Sequence, residues 1–162
     1  MCPYSRPSAI LIPMCRVLVI DDEEDVLRNV RRRLERDGHE VDTASNAQEG
    51  LAKIGETPNS YDVIITDMSM EDPDSGLKVL QAAFSRDLFA EIIVMTAYGN
   101  VANAVECMKR GAFDYIEKNS PGQDAYEMLA DKVEDAMERR RQSVRTVDLW
   151  ERAANSLAKS RV

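Results

Sequence analysis

The stretch Val17-Leu-Val-Ile-Asp-Asp22 constrains the fold of this chain more than any other. Four apolar residues run directly into two carboxylates, and Glu23, Glu24 and Asp25 follow. An uninterrupted apolar run of this length fits a strand buried on both faces, as in a parallel sheet. A strand ending on adjacent aspartates sets two carboxylates side by side, which is costly unless a cation or a proton neutralises them. Ligands of open α/β sheets bind at the carboxyl ends of the strands. Asp21 and Asp22 therefore mark a candidate divalent-cation pocket at that edge.

The same pattern recurs downstream. Apolar or β-prone segments at 40–44, 61–66, 91–95 and 113–117 alternate with amphipathic segments at 25–36, 46–54, 75–86 and 101–110. In the first amphipathic segment Val26, Leu27, Val30 and Leu34 share one face, and Gly38 stands where a helix would end. Asn46 is a good N-cap for the second, Thr57–Ser60 forms a turn cluster, Gly111 closes the fourth helix, and a last helix begins near Gln123. Five strand–helix units with short links predict a parallel sheet covered by helices on both faces. Right-handed crossovers leave few orders, and the expected fold is α/β, a flavodoxin-like doubly wound five-stranded sheet in the order 2-1-3-4-5 with an extended C-terminal helix.

From Tyr126 onward the chain has no Gly or Pro, and apolar residues recur at three-to-four spacing through Leu129, Val133, Ala136/Met137, Val144, Val147, Trp150, Ala154 and Leu157, with Arg140 interrupting. One helix of this length exceeds what the domain can cover. Its distal part either buries its stripe against a partner or second copy, or remains a solvated Arg-rich helix. The expected organisation is a disordered lead-in at 1–14, a domain at 15–137 and a helical extension or linker at 138–162.

Bulk composition narrows the functions. The net charge of −8 argues against nonspecific nucleic-acid binding by the whole chain. The charge is uneven: residues 139–161 hold seven Lys/Arg and two Asp/Glu, a local +5, against −13 for the rest. The Arg139–Arg141 run is read as a solvated face rather than a DNA contact. Cys2, Cys15 and Cys107 have no metal-type spacing and are read as reduced thiols of a cytoplasmic protein. A single histidine, His39, leaves little room for a His-ligated metal or a Ser-His pair. No apolar run nears the length of a membrane span, and Ala9–Ile12 is too short for a signal-peptide core.

The chemistry converges at strand ends. Strands one, three, four and five end on Asp21/Asp22, Asp67, Thr96 and Lys118, which a doubly wound sheet brings to one edge. Three carboxylates, a hydroxyl and an ammonium then share a pocket whose surplus negative charge and oxygen donors suit Mg²⁺. A flavin-binding domain of the same architecture would need a Ser/Thr/Gly phosphate loop after the first strand, where Asp-Asp-Glu-Glu-Asp would repel phosphate.

Val17–Asp22, Asp67, Thr96-Ala97 and Lys118 together resemble the receiver domain of bacterial two-component response regulators, over about residues 15–137. The stretches Gly76–Leu80, Thr96–Asn100 and Ala104–Lys118 also resemble receivers, the last two most like those of nitrogen-regulation-type, sigma-54-dependent activators. The resemblance implies that Asp67 is the phosphoacceptor, facing a sensor histidine kinase or phosphotransfer protein. It implies Mg²⁺ ligation by Asp22, Asp67 and the Ser69 backbone carbonyl, with Asp21 helping through water. Lys118 would pair with a phosphoryl oxygen, and Thr96 and Tyr115 would form the switch, the change falling on the fourth strand, helix and fifth strand. Such a chain is not a classical enzyme, but it catalyses its own Mg²⁺-dependent phosphorylation and dephosphorylation. A homodimer through the C-terminal helix and the face of helix 4, strand 5 and helix 5 is a possible output; membrane contact and direct DNA binding are not expected. The alternative is a receiver fold used as a phosphorylation-independent interaction module. The sequence departs from the pattern at two places. Glu71 replaces the usual Pro in a loop one residue longer than usual, so that Gly76 lies nine residues after Asp67. Asn119 replaces a Pro that is often cis. Ser69 and Tyr98 occupy positions that tune dephosphorylation in the family.

Overall fold

The computed structural model describes residues 14–56, 61–97 and 100–161. The lead-in at 1–13, the Thr57–Ser60 turn and Tyr98 lie outside these residues. Strands β1 (Arg16–Ile20), β2 (Glu40–Ala44), β3 (Val63–Asp67), β4 (Glu91–Thr96) and β5 (Asp114–Glu117) alternate with helices α1 (Glu24–Arg36), α2 (Ala47–Glu56), α3 (Ser75–Arg86), α4 (Val101–Lys109) and α5 (Ala125–Ser160). All pairings are parallel, and the order is β2-β1-β3-β4-β5. The expected fold class is the observed one.

Strand alternation divides the core. Val17, Val19, Ile65 and Ile93 pack under α1 and α5, while Leu18, Ile20, Ile64, Ile92 and Val94 pack under α2, α3 and α4. Both faces are covered, so β3 and β4 are buried along their whole length. Helix ends follow local chemistry. Asn46 Oδ1 accepts the Glu49 N–H at 2.7 Å, capping α2. Gly38 and Gly111, with φ of +91° and +101°, end α1 and α4 in matching turns. The N–H groups of Gly38 and His39 reach Glu35 and Leu34, and those of Gly111 and Ala112 reach Met108 and Cys107.

Helix α5 has two parts. Leu129, Ala130, Val133, Ala136 and Met137 are buried, and Arg33 ties the helix to α1 through two bonds to Glu127, at 2.8 and 3.2 Å. Beyond Arg140 the stripe is bare: Val144, Val147, Trp150 and Leu157 are exposed, Trp150 by 74%. The Arg139–Arg141 run differs from the solvated face expected of it. Arg139 grips the buried Glu91 carboxylate with Nε at 3.0 and 2.9 Å and lies 4.7 Å over the Phe113 ring. Arg140 bridges Asp62 at 3.1 Å and Asp87 at 2.8 Å. Sequence spacing could not reveal this, because Asp62 precedes β3, Asp87 caps the end of α3 and Glu91 opens β4. Arg139 stays half exposed while making these contacts, and Arg141 lies on the surface, paired with Glu138.

Candidate functional site

Sheet register assembles the site. Ile20 pairs with Thr66, Asp67 with Met95 and Thr96 with Glu117, so the residues at the next step of each strand meet at one edge. The Lys118 N–H donates to the Thr96 carbonyl at 2.7 Å, extending the ladder one residue past β5. Asp21, Asp67, Thr96 and Lys118 are all buried there, while Asp22 is exposed.

Lys118 is the hub. Its Nζ lies 2.7 Å from Asp21, 3.3 Å from Asp67 and 3.2 Å from Glu23. One Asp21 oxygen also accepts the Glu23 N–H at 2.8 Å. Oxygens of Asp21, Asp22 and Asp67 fall within 4.8 Å of one another. Burial pushes the Asp67 carboxyl up to about 6; Lys118 opposes this, and the charges of Asp21 and Asp22 add to it. Burial also raises Asp21, against its bond to Lys118. For Lys118 burial acts downward, but the bond to Asp21 and the charges of Asp21 and Asp67 outweigh it and hold the ammonium protonated.

A cavity of about 350 Å³ opens onto these groups, lined by Asp22, Asp67, Ser69, Ala97, Asn100 and Lys118 among others. The Thr96 hydroxyl is buried and has no hydrogen-bond partner. A buried hydroxyl with an unused proton costs stability unless something else accepts it. Hard oxygen donors around one ammonium fit a small divalent cation, so the residues present suit Mg²⁺.

Tyr115 is not part of this pocket. It lies on β5, half-buried against the core cluster beneath α2, α3 and α4. Sequence reasoning assigned no role to Glu23 or Asn100. Glu23 was visible only as one acid in a run of five, and its reach to Lys118 depends on where β5 ends. Asn119 takes the left-handed conformation, with φ +57°, and no peptide bond among the described residues is cis. Asn tolerates that region better than most residues, so the chain turns away from Lys118 without the proline usual there. Gly76 answers the longer loop. Its N–H reaches the Met68 carbonyl at 2.9 Å, and a Cβ would sit 2.9 Å from Met68 Cα and 3.0 Å from the Asp67 oxygen. Only glycine allows α3 to start this close to the end of β3.

A five-stranded 2-1-3-4-5 sheet with an acidic pocket and a lysine at its carboxyl edge defines a class, and residues 17–130 match the response regulator receiver domain, the family to which this chain belongs. Among relatives, it is 37% identical over 136 residues to the acid tolerance regulatory protein ActR of Rhizobium meliloti (strain 1021), covering 84% of this chain and 67% of that protein. It is 33% identical over 118 residues to the photosynthetic apparatus regulatory protein RegA of Cereibacter sphaeroides, covering 73% of this chain and 62% of RegA. The chain thus spans about two thirds of the length of these relatives. Among solved structures, a response regulator receiver domain protein from Clostridium thermocellum superposes with a TM-score of 0.71 at 36% identity, covering 80% of this chain and 98% of that one. NtrX from Brucella abortus gives a TM-score of 0.75 at 28% identity, covering 85% of this chain and 30% of that one.

Proposed function

We propose that Asp67 accepts a phosphoryl group from the phosphohistidine of a sensor histidine kinase or phosphotransfer protein, in a Mg²⁺-dependent reaction. The observation that carries this reading is the buried Lys118 ammonium, within reach of both Asp21 and Asp67 in the lining of the cavity. An Asp67 oxygen attacks phosphorus, the P–N bond breaks, and the electron pair leaves on the imidazole nitrogen. Asp22, Asp67 and the Ser69 backbone carbonyl would hold Mg²⁺, with Asp21 acting through water; when bound, the ion neutralises charge on the carboxylates and on the phosphoryl oxygens. Lys118 is already held protonated and pairs with a phosphoryl oxygen. The Thr96 hydroxyl donates to another, which gives a partner to a buried hydroxyl that otherwise has none. Its inward movement frees space that Tyr115 follows, and the added charge becomes a packing change on the α4–β5–α5 face.

The receiver spans residues 15–137 and the helical extension 138–162, with Arg139 and Arg140 tying the extension's first turn to the domain. The extension and the α4–β5–α5 face form a homodimer contact, supported by the bare seam of α5 and by exposed Val101, Val105 and Met108 on α4. The protein works in the cytoplasm; among the described residues no helix is long and apolar enough to cross a membrane. Incubation with Mg²⁺ and acetyl phosphate should give acid-labile phosphate on wild type and none on Asp67→Asn. Absence of phosphate on wild type, with no response to beryllofluoride, would favour a phosphorylation-independent interaction module.

A further inference from the structure

The loop between β3 and α3 carries three carboxylates, Glu71, Asp72 and Asp74, close in sequence to the proposed cation pocket. The structure turns all three away from it. Lys78 takes Asp72 at 3.1 Å and Asp74 at 3.5 Å. Glu71 crosses to a different element: its Oε1 accepts the backbone N–H of Ala47, the first residue of α2, at 3.0 Å, and its Oε2 lies 3.4 Å from the same nitrogen. Ser75 Oγ sits 3.5 Å from that second oxygen.

The position matters because of what lies on either side of it. A free N–H at a helix start carries part of the helix's positive end, so a carboxylate there gains both a hydrogen bond and a favourable charge. Asn46 already serves the Glu49 N–H, and Glu71 serves Ala47, so the first turn of α2 is completed by a residue from the β3–α3 loop. That loop begins just after Asp67, the last residue of β3, and contains Ser69. Its base is pinned by the Gly76–Met68 bond, and within it Ser75 bonds Asp72 and Ser69 Oγ reaches the Pro73 carbonyl at 3.4 Å; Glu71 ties its middle to α2. Proline would restrict the backbone at position 71 through its ring; here a bond to a neighbouring helix does so.

We propose that Glu71 is a positioning residue: by bonding the start of α2 it holds the β3–α3 loop, and with it Ser69, against the cation pocket. This rests on the reading of Asp22, Asp67 and Ser69 as the Mg²⁺ site. Linkage then requires the reverse effect, so that Mg²⁺ in the pocket steadies the Ala47 N–H at the start of α2.

The test uses the full chain with Mg²⁺ alone. Mg²⁺ affinity is measured by titration, and exchange of the Ala47 amide is followed by NMR with and without the ion. Glu71→Ala should weaken Mg²⁺ binding about two- to tenfold, the range expected for the loss of one hydrogen bond, and should abolish the Mg²⁺-dependent slowing at Ala47. Glu71→Gln keeps an acceptor oxygen but no charge, and should restore most of both. Equal weakening in both variants would mean that Glu71 acts only through its charge, and would overturn the proposal. So would unchanged Mg²⁺ affinity in Glu71→Ala beside a wild type that binds. A wild type that does not bind Mg²⁺ would instead overturn the assignment of the pocket, and the proposal with it.

Discussion

Replacing Asp67 by Asn should stabilise the folded protein at neutral pH when no divalent cation is present. The Asp67 carboxyl is buried and its pKa is raised from 3.8 to about 6, chiefly by desolvation. A folded state that raises a carboxyl's pKa binds the proton more tightly than the unfolded chain does. Stability from such a group is fully present below the unfolded value and is lost as pH rises through the folded one. At pH 7.5 the ionised Asp67 therefore costs the fold up to about 3 kcal/mol relative to a neutral side chain. The raised value already includes the attraction of Lys118; burying the polar Asn amide in its place offsets part of the gain, which should be about 1–2 kcal/mol, or roughly 3–6 °C in Tm for a chain of this size. Urea denaturation in EDTA from pH 4.5 to 7.5 measures it. The variant should exceed wild type at pH 7.5, and the gap should shrink steadily as pH falls below about 6, closing only near the unfolded value of 3.8. Mg²⁺ at tenfold excess over its Kd should return about 1.4 kcal/mol to wild type and less to the variant. Equal or lower stability of Asp67→Asn at pH 7.5, or a gap that does not shrink on acidification, would refute the view that the pocket stores electrostatic cost.

Thr96→Val removes a buried hydroxyl that has no partner. It should leave stability unchanged or raise it by about 1 kcal/mol while abolishing the beryllofluoride-induced change on the β5 face, read by amide chemical shifts. Arg139→Ala strands the Glu91 carboxylate, which is 4% exposed. Because Arg139 is itself half exposed, the loss should be about 2–3 kcal/mol, below that for breaking a fully buried pair, and Glu91→Gln in the same chain should recover part of it. Gly76→Ala should cost about 1–3 kcal/mol by pressing a Cβ into backbone atoms that cannot rotate away; denaturation midpoints measure both. Leu157→Asp should leave the melting temperature unchanged and abolish any concentration-dependent dimer in sedimentation. The emission of Trp150, the chain's only tryptophan, should shift to the blue on association in wild type alone.

Much of this protein is written in its linear order. Short apolar runs alternating with amphipathic segments determine a parallel sheet covered by helices on both faces, because a strand buried on both faces needs an apolar side chain at every position. Gly38, Gly111 and Asn46 mark helix ends through local backbone preference, and Asp21, Asp22, Asp67, Thr96 and Lys118 can be recognised as strand-end residues for the same reason. What linear order could not decide is which distant groups meet. Arg139 and Arg140 look like a solvated basic run until the sheet brings Glu91, Asp62 and Asp87 beneath them. Glu71 looks like one more acid near a cation pocket until the fold sets the start of α2 in front of it. The Thr96 hydroxyl gives no sign in sequence that it will be buried without a partner. In each case the deciding quantity is a pairing across many residues of chain. Side-chain periodicity reports which face is buried, but only the closed structure settles which charge lies against which.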